Sequence, residues 1–355
     1  MSRNCVCLIP TSALLLPGTS TGDRFVLWIL FALVGALSQA TYGMSAKVLL
    51  QKVSPYTLAG VSFLSASLGL LCISILWGIP PLGPGLFQAV AVTVSINIVA
   101  TILFYRALSS TDLSLCVPML AFTPVFLILT SFLILGELPT IAGTAGILMV
   151  AAGAYLLNLE YSGRRPGSLF APFRRLFRDL GVQSMLLVSF LYSISVNFDK
   201  QVVENSNPVF GSVIVFFLLG SVFLIIAIGT GGRSGLFPGN GCSGKLVDTT
   251  DTDYRNGPQF SATIRRVRRS TGSSLCGIPS WLGCLAVGAV LVFECVSINI
   301  AYTMTIVPYV ITIKRLAIFF SVLYGGLLLH ERQLGGRIFG AVVMIAGAAM
   351  IALFG

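Results

Sequence analysis

The sequence predicts an all-α polytopic membrane protein, with ten transmembrane helices arranged as two inverted five-helix repeats. Three observations carry that fold class. Only 10% of the 355 residues are charged while 55% are hydrophobic, with a mean hydropathy of +0.93. A soluble globule of this size needs roughly a quarter charged residues to face water. The apolar residues fall in blocks of about 20, the length of helix that crosses the hydrocarbon core. Segments of the first half also recur in the second, in the same order.

Hydropathy sets the spans at residues 25–47, 56–79, 85–108, 113–135, 139–159, 182–203, 208–230, 281–304, 307–329 and 335–354. Gly and Pro punctuate the connections at Pro55, at the Pro80-Pro81-Leu82-Gly83-Pro84 turn, and at Pro139, Pro208 and Pro308. Small residues recur along several spans, among them Gly143, Gly146 and Gly153, and then Gly336, Gly340 and Gly347. In lipid, such residues let helix backbones approach closely. Outside the spans lie an N-terminal extension (1–24), a basic linker (160–181) and a long Gly/Ser/Thr-rich insertion (231–280). The insertion's composition predicts disorder. It carries the basic run Arg265-Arg266-Val267-Arg268-Arg269 beside Asp248, Asp251 and Asp253.

The net charge of +10 does not point to nucleic acid, because most of the 22 Lys and Arg sit in connections between apolar blocks. Beside a bilayer that pattern reads as topology and as contact with anionic lipid headgroups. No cofactor or metal is expected, since His330 is the single histidine and the eight cysteines form no CxxC pair. The same poverty of nucleophile–base and metal-ligand motifs argues against an enzyme. The expected partners are the lipid bilayer and a small-molecule substrate, with a homo-oligomer left open. The expected location is the plasma (inner) membrane.

Self-similarity decides the architecture. Lys47 and Pro55 recur as Lys200 and Pro208, 153 positions on. The pentapeptide Val94-Ser95-Ile96-Asn97-Ile98 recurs verbatim as Val296-Ser297-Ile298-Asn299-Ile300, 202 positions on. Glu137, Gly146 and Gly153 recur as Glu331, Gly340 and Gly347, 194 positions on. The offset jumps where the 231–280 insertion interrupts the second half, so repeats at 25–159 and 182–355 account for all three sets. Five is an odd number of spans, so the second repeat must enter the membrane inverted. Transporters use that symmetry to alternate access around a site near the midplane.

Each half ends in a short motif, Leu135-Gly136-Glu137-Leu138 or Leu329-His330-Glu331-Arg332, followed by a Gly-rich span. In this the chain resembles the EamA-type repeat of the drug/metabolite transporter superfamily. The resemblance implies ten spans, a central cavity, and export or exchange of small solutes. The positive-inside rule would put both termini outside. Eukaryotic members of the superfamily are held to have cytosolic termini, so the sides stay open.

A charge in the bilayer core costs on the order of 2.5–3.5 kcal/mol even on lenient insertion scales, so each one is a site hypothesis. Glu294 lies mid-span, Lys314 and Arg315 lie two turns into the ninth span, and Asp199 and Lys200 lie near the end of the sixth. Ile313-Lys314-Arg315-Leu316 is similar to the Lys-Arg pair of the plastidic phosphate translocators. There the pair and a lysine ending the sixth span hold a phosphate, which makes Lys200 the counterpart. The competing reading is internal neutralisation, with Glu294 paired to Lys314 or Arg315 and Asp199 paired to Lys200. Small multidrug resistance relatives exchange protons through a first-span glutamate. The corresponding positions here are Gln39 and Tyr192, which leaves Glu294 as the mid-span carboxylate able to carry a proton. Asn97 and Asn299 are expected at mid-depth, either bonding between helices or lining the cavity. Tyr42, Asn197 and Tyr302 join Gln39 as cavity candidates. Arg106 is placed near a span end, where it can snorkel. Glu137 and Glu331 are read as span-end caps or interface contacts. The leading expectation is a carrier of an anionic, phosphate- or carboxylate-bearing metabolite. The alternatives are an exporter of amino acids or drug-like cations and a non-transporting scaffold.

Overall fold

The computed structural model describes residues 21–50, 53–110, 117–161, 179–230, 280–329 and 337–355. Most of the linker, the insertion and the N-terminal extension, together with Glu331, lie outside them. Among the described residues every regular element is helical. In chain order they are α1 (Thr21–Leu49), α2 (Pro55–Trp77), α3 (Leu86–Ser110), a 3₁₀ turn (Val117–Phe122) running into α4 (Thr123–Leu135), α5 (Ile141–Tyr161) and α6 (Leu180–Glu204). These are followed by α7 (Phe210–Thr230), α8 (Ser280–Tyr302), α9 (Val307–Lys314), α10 (Ala317–Leu329) and α11 (Arg337–Phe354).

Eight stretches are long and apolar enough to cross a bilayer; they lie in α1, α2, α3, the turn with α4, α6, α7, α8, and α9 with α10. The other two expected spans lie in α5 (21 residues) and α11 (18 residues), with apolar stretches at Ile141–Leu157 and Phe339–Phe354. Large apolar side chains stand exposed along the helices, reaching 84% for Leu76 and 93% for Ile141. Water would not tolerate so continuous an apolar surface, whereas lipid does. The chain is an integral membrane protein.

Local chemistry sets the helix ends. Pro55 opens α2 behind Ser54, whose Oγ accepts the Thr57 N–H at 3.1 Å. Asp179 caps α6 by accepting the Gly181 N–H at 2.9 Å. Gly136 ends α4 at φ +71°, a left-handed conformation that glycine adopts without a Cβ penalty. Its N–H returns to the Phe132 carbonyl at 3.1 Å and the N–H of Glu137 returns to Ser131 at 3.3 Å. That turn aims the Glu137 side chain.

Helix seams are built from the small residues the sequence singled out. α5 and α11 lie so close that a Cβ on Gly146 would sit 2.8 Å from the Gly347 carbonyl oxygen, and one on Gly153 would sit 2.7 Å from that of Gly340. As one number rises the other falls, so the two helices cross antiparallel. α2 and α7 meet likewise, Gly60 against Leu224 and Gly220 against Leu64, with Ser67 Oγ donating to the Val213 carbonyl at 2.9 Å. α1 lies along α8 and α3 along α6. α9 is threaded among α1, α4, α5, α6, α8 and α11, and residues 307–313 are all buried.

The ninth span departs from the expected single helix. It breaks at Arg315 and Leu316, where Leu316 N bonds the Ile313 carbonyl at 2.9 Å and Ile318 N bonds that of Arg315 at 3.0 Å. These are i→i+3 bonds, a tightening characteristic of a 3₁₀ step between helical pieces. The fourth span shows the same device, its 3₁₀ turn giving way to α4 at Thr123. Moving α4 (Thr123–Leu135) by the 194-residue offset lands on α10 (Ala317–Leu329) end for end.

Candidate functional site

The buried charges gather around the break between α9 and α10. Lys314, the last residue of α9, donates to Glu294 Oε1 of α8 at 2.8 Å, and both side chains are largely covered. Arg315 follows it in sequence but points elsewhere, because successive helical residues diverge by about 100°. Its neighbour is Tyr192 of α6, whose hydroxyl in turn hydrogen-bonds Thr101 of α3. Among the described residues no carboxylate lies within ion-pair distance of Arg315, and no side-chain hydrogen bond holds its guanidinium. Arg315, Tyr192, Asp199 and Tyr42 all sit deep among the helices yet keep accessible surface.

Asp199 does not pair with Lys200. The two are adjacent on α6 and therefore face different helices. Asp199 turns to α3, where Thr93 Oγ1 donates to its Oδ1 at 2.5 Å. Thr93 also shares a 2.8 Å hydrogen bond with Ser195 Oγ, and Asn97 Nδ2 donates to the same Ser195 hydroxyl at 2.6 Å. Asn97 thus bonds between α3 and α6, at the edge of the Asp199 site. Asn299 bonds elsewhere, donating to the Pro208 carbonyl at 2.7 Å and Ser212 Oγ at 2.8 Å, which pins α8 to the start of α7.

Lys200 turns to the end of α4 and forms an ion pair with Glu137. Glu137 Oε2 also accepts the Val307 N–H, the first of α9, at 2.9 Å and the Ser131 hydroxyl at 3.0 Å. The expected trio of Lys314, Arg315 and Lys200 is therefore not assembled in this conformation. Seven residues separate Val307 from Lys314, placing Lys200 about 10 Å along the α9 axis from the Lys-Arg pair. Glu137 acts as the helix cap and interface contact expected of it.

The remaining candidates are scattered around this centre. Tyr302 is buried within the electrostatic reach of Asp199, Glu294 and Glu137, and Tyr42 within that of Glu294 and Tyr192. Gln39 is half-buried on α1, and Arg106 is exposed near the end of α3. Asn197 is fully buried, donating to Thr130 Oγ1 at 3.1 Å while its Oδ1 finds no partner among the described residues. Tyr192, Thr93 and Ser195 were not among the expected site residues. Hydroxyl residues are common in these spans, and only the pairing of α3 with α6 distinguishes them. Among the described residues no group of three His, Cys, Asp or Glu side chains could hold a metal ion.

Comparison with known proteins fits this picture. Residues 26–159 match the model of the EamA-like transporter family. No curated protein sequence matches the chain. A solved crystal structure shares the fold with a TM-score of 0.64 at 14% identity, the match covering 93% of this chain and 97% of the other. At that identity the likeness concerns fold alone. The family match and the apolar helices together point to a membrane transporter rather than an enzyme.

Proposed function

We propose that the chain is a secondary transporter of ten spans in two inverted halves, moving a small anionic solute by alternating access. The packing supports the twofold. The repeat offset of 194 turns the contact of Gly146 with Gly347 into that of Gly340 with Gly153, and both contacts are present. The offset of 153 turns Gly60 against Gly220 into Val213 against Ser67, which is also present. α1 beside α8 becomes α6 beside α3 under the same exchange.

The anion reading is carried by one observation: among the described residues no carboxylate pairs with Arg315, which stands at the break between α9 and α10. Guanidinium offers a bidentate fork to carboxylate or phosphate, and exclusion of water strengthens it. Lys314 stands one residue away as a second cation, at present held by Glu294. Tyr192, Tyr42 and Tyr302 supply hydroxyls and ring faces for the rest of the solute, with Gln39 and Asn97 at the margin. A thermal-shift screen of the purified full-length protein tests the class. Phosphorylated sugars or carboxylates should stabilise it, and stabilisation by organic cations alone would contradict the reading.

Proton coupling follows from the Lys314–Glu294 pair. A solute anion that takes Lys314 must displace a carboxylate 2.8 Å away, and two anions side by side repel unless one accepts a proton. Lys314 of α9 contacts Glu294, and Tyr42 of α1 and Cys295 and Tyr302 of α8 lie within its electrostatic reach, the last two also within that of Asp199 on α6. Glu294 is thus the proton carrier, and Asp199 the second acidic group at the site. Glu294→Gln should still exchange anion for anion across liposomes while losing accumulation driven by a pH gradient. Undiminished proton-driven uptake in that variant would remove the role.

A further inference from the structure

We infer that Glu137 is a positioning residue, a latch that fixes the short helix α9 and thereby sets where Lys314 and Arg315 stand. The consequence for transport rests on the reading above, but the latch itself is a matter of packing. α9 has eight residues and is about 12 Å long. It is severed from α10 at Arg315–Leu316 and joined to α8 through the turn at Thr303–Ile306. A helix this short, bounded by turns at both ends, holds its place through its neighbours rather than through its own ladder.

At its N-terminal end those neighbours converge on one carboxylate. Glu137 reaches from the end of α4 to accept the Val307 N–H, it pairs with Lys200 of α6, and Ser131 Oγ braces it at 3.0 Å. The Lys200 ammonium also lies 3.4 Å from the Thr305 carbonyl in the preceding turn. The position suits a carboxylate, since the start of a helix carries partial positive charge. Two residues further in, the Tyr309 hydroxyl accepts the Thr140 N–H at 2.9 Å while its ring stacks on Trp28 with centroids 6.4 Å apart. The segment 137–140 of the first half therefore grips the first turn of α9 in the second half. The far end of the same helix carries the two cations. When Glu137 lets go, the first turn of α9 loses its cap and its tie to α6, so the helix that carries Lys314 is held less firmly and Lys200 is released.

Hydrogen–deuterium exchange on the full-length protein in detergent, with no solute present, tests the latch independently of whether the chain carries an anion. Glu137→Gln and Lys200→Met should each speed amide exchange across 307–314 by about tenfold, equivalent to about 1.4 kcal/mol of lost protection. The double variant should fall well short of the product of the two singles, because both remove the shared Glu137–Lys200 pair. Amides at the α5–α11 crossing should keep their wild-type protection. Lys200→Arg, which retains the charge, should stay within about twofold of wild type. The inference is overturned by unchanged exchange in 307–314, by multiplied effects in the double variant, or by equal loss of protection in α5 and α11. A tenfold rise in Lys200→Arg would overturn it too, since size rather than charge would then hold the helix.

Discussion

Arg315→Ala is expected to abolish recognition of the anionic solute while leaving the unliganded protein as stable as wild type. Removing one partner of a desolvated, hydrogen-bonded charge pair costs about 2–5 kcal/mol of binding. Affinity for the best stabilising anion of a thermal-shift screen should therefore fall by two orders of magnitude or more. Arg315→Lys should recover part of the loss, because it restores charge but not the planar fork. Stability responds differently, since no carboxylate in the described structure depends on Arg315. Its removal breaks no ion pair among the described residues and relieves a desolvated charge, so the Tm without ligand should hold or rise. Lys314→Ala is the contrast. It strands Glu294, a buried carboxylate whose ion-pair partner is Lys314, and uncompensated buried charges of this kind cost about 3–5 kcal/mol. A Tm that falls as far for Arg315→Ala as for Lys314→Ala would mean that Arg315 serves the fold.

Gly153→Val should produce the largest loss of stability among the glycine substitutions at the α5–α11 crossing. Its Cβ would meet Met344 Cγ at 2.5 Å, and also the Gly340 carbonyl oxygen and the Met344 nitrogen at 2.7 Å each. A flexible side chain can retreat but two backbone atoms cannot, so the helices must part along the seam. Overpacking of this kind typically costs 1–3 kcal/mol, and a seam that relies on close backbone approach belongs at the upper end. Gly340→Val, its repeat-related counterpart, meets the Gly153 carbonyl oxygen at 3.0 Å and should be similarly damaging. Gly43→Ala serves as the control, with nothing within 4 Å of its added Cβ. It should be neutral or gain up to about 1 kcal/mol from helix propensity. Thermal unfolding of the three purified variants checks the order. Equal Tm values for Gly153→Val and Gly43→Ala would contradict the packing of the two halves.

Much of the fold was legible because it depends on local composition and on repetition. The apolar blocks fell on the helices, and the Gly146/Gly340 and Gly153/Gly347 repeats marked the residues that meet across α5 and α11. The break in the ninth span was not legible. Ile311–Ile318 contains neither Gly nor Pro, and the interruption comes from the packing of α9 among six other helices. The charges were legible as a set, but their partners were not. Composition placed Glu294, Lys314 and Arg315 in one half without telling which cation the carboxylate would take. That choice rests on the 100° between neighbouring residues and on which helix stands at each side. The same angle separates Asp199 from Lys200, which turn to different helices. Glu137 showed in sequence only as a span end, and its link to Lys200 and Val307 needed α4, α6 and α9 in place.

The most direct test is counterflow by the full-length chain in liposomes. Vesicles loaded with the anion that most stabilises the protein are diluted into a trace of the same anion, radiolabelled, with no pH gradient. A carrier with its anion seat at Arg315 should concentrate the label transiently, and Arg315→Ala should fall to the level of empty liposomes. Equal uptake by wild type and Arg315→Ala, or uptake of organic cations but of no anion, would contradict it.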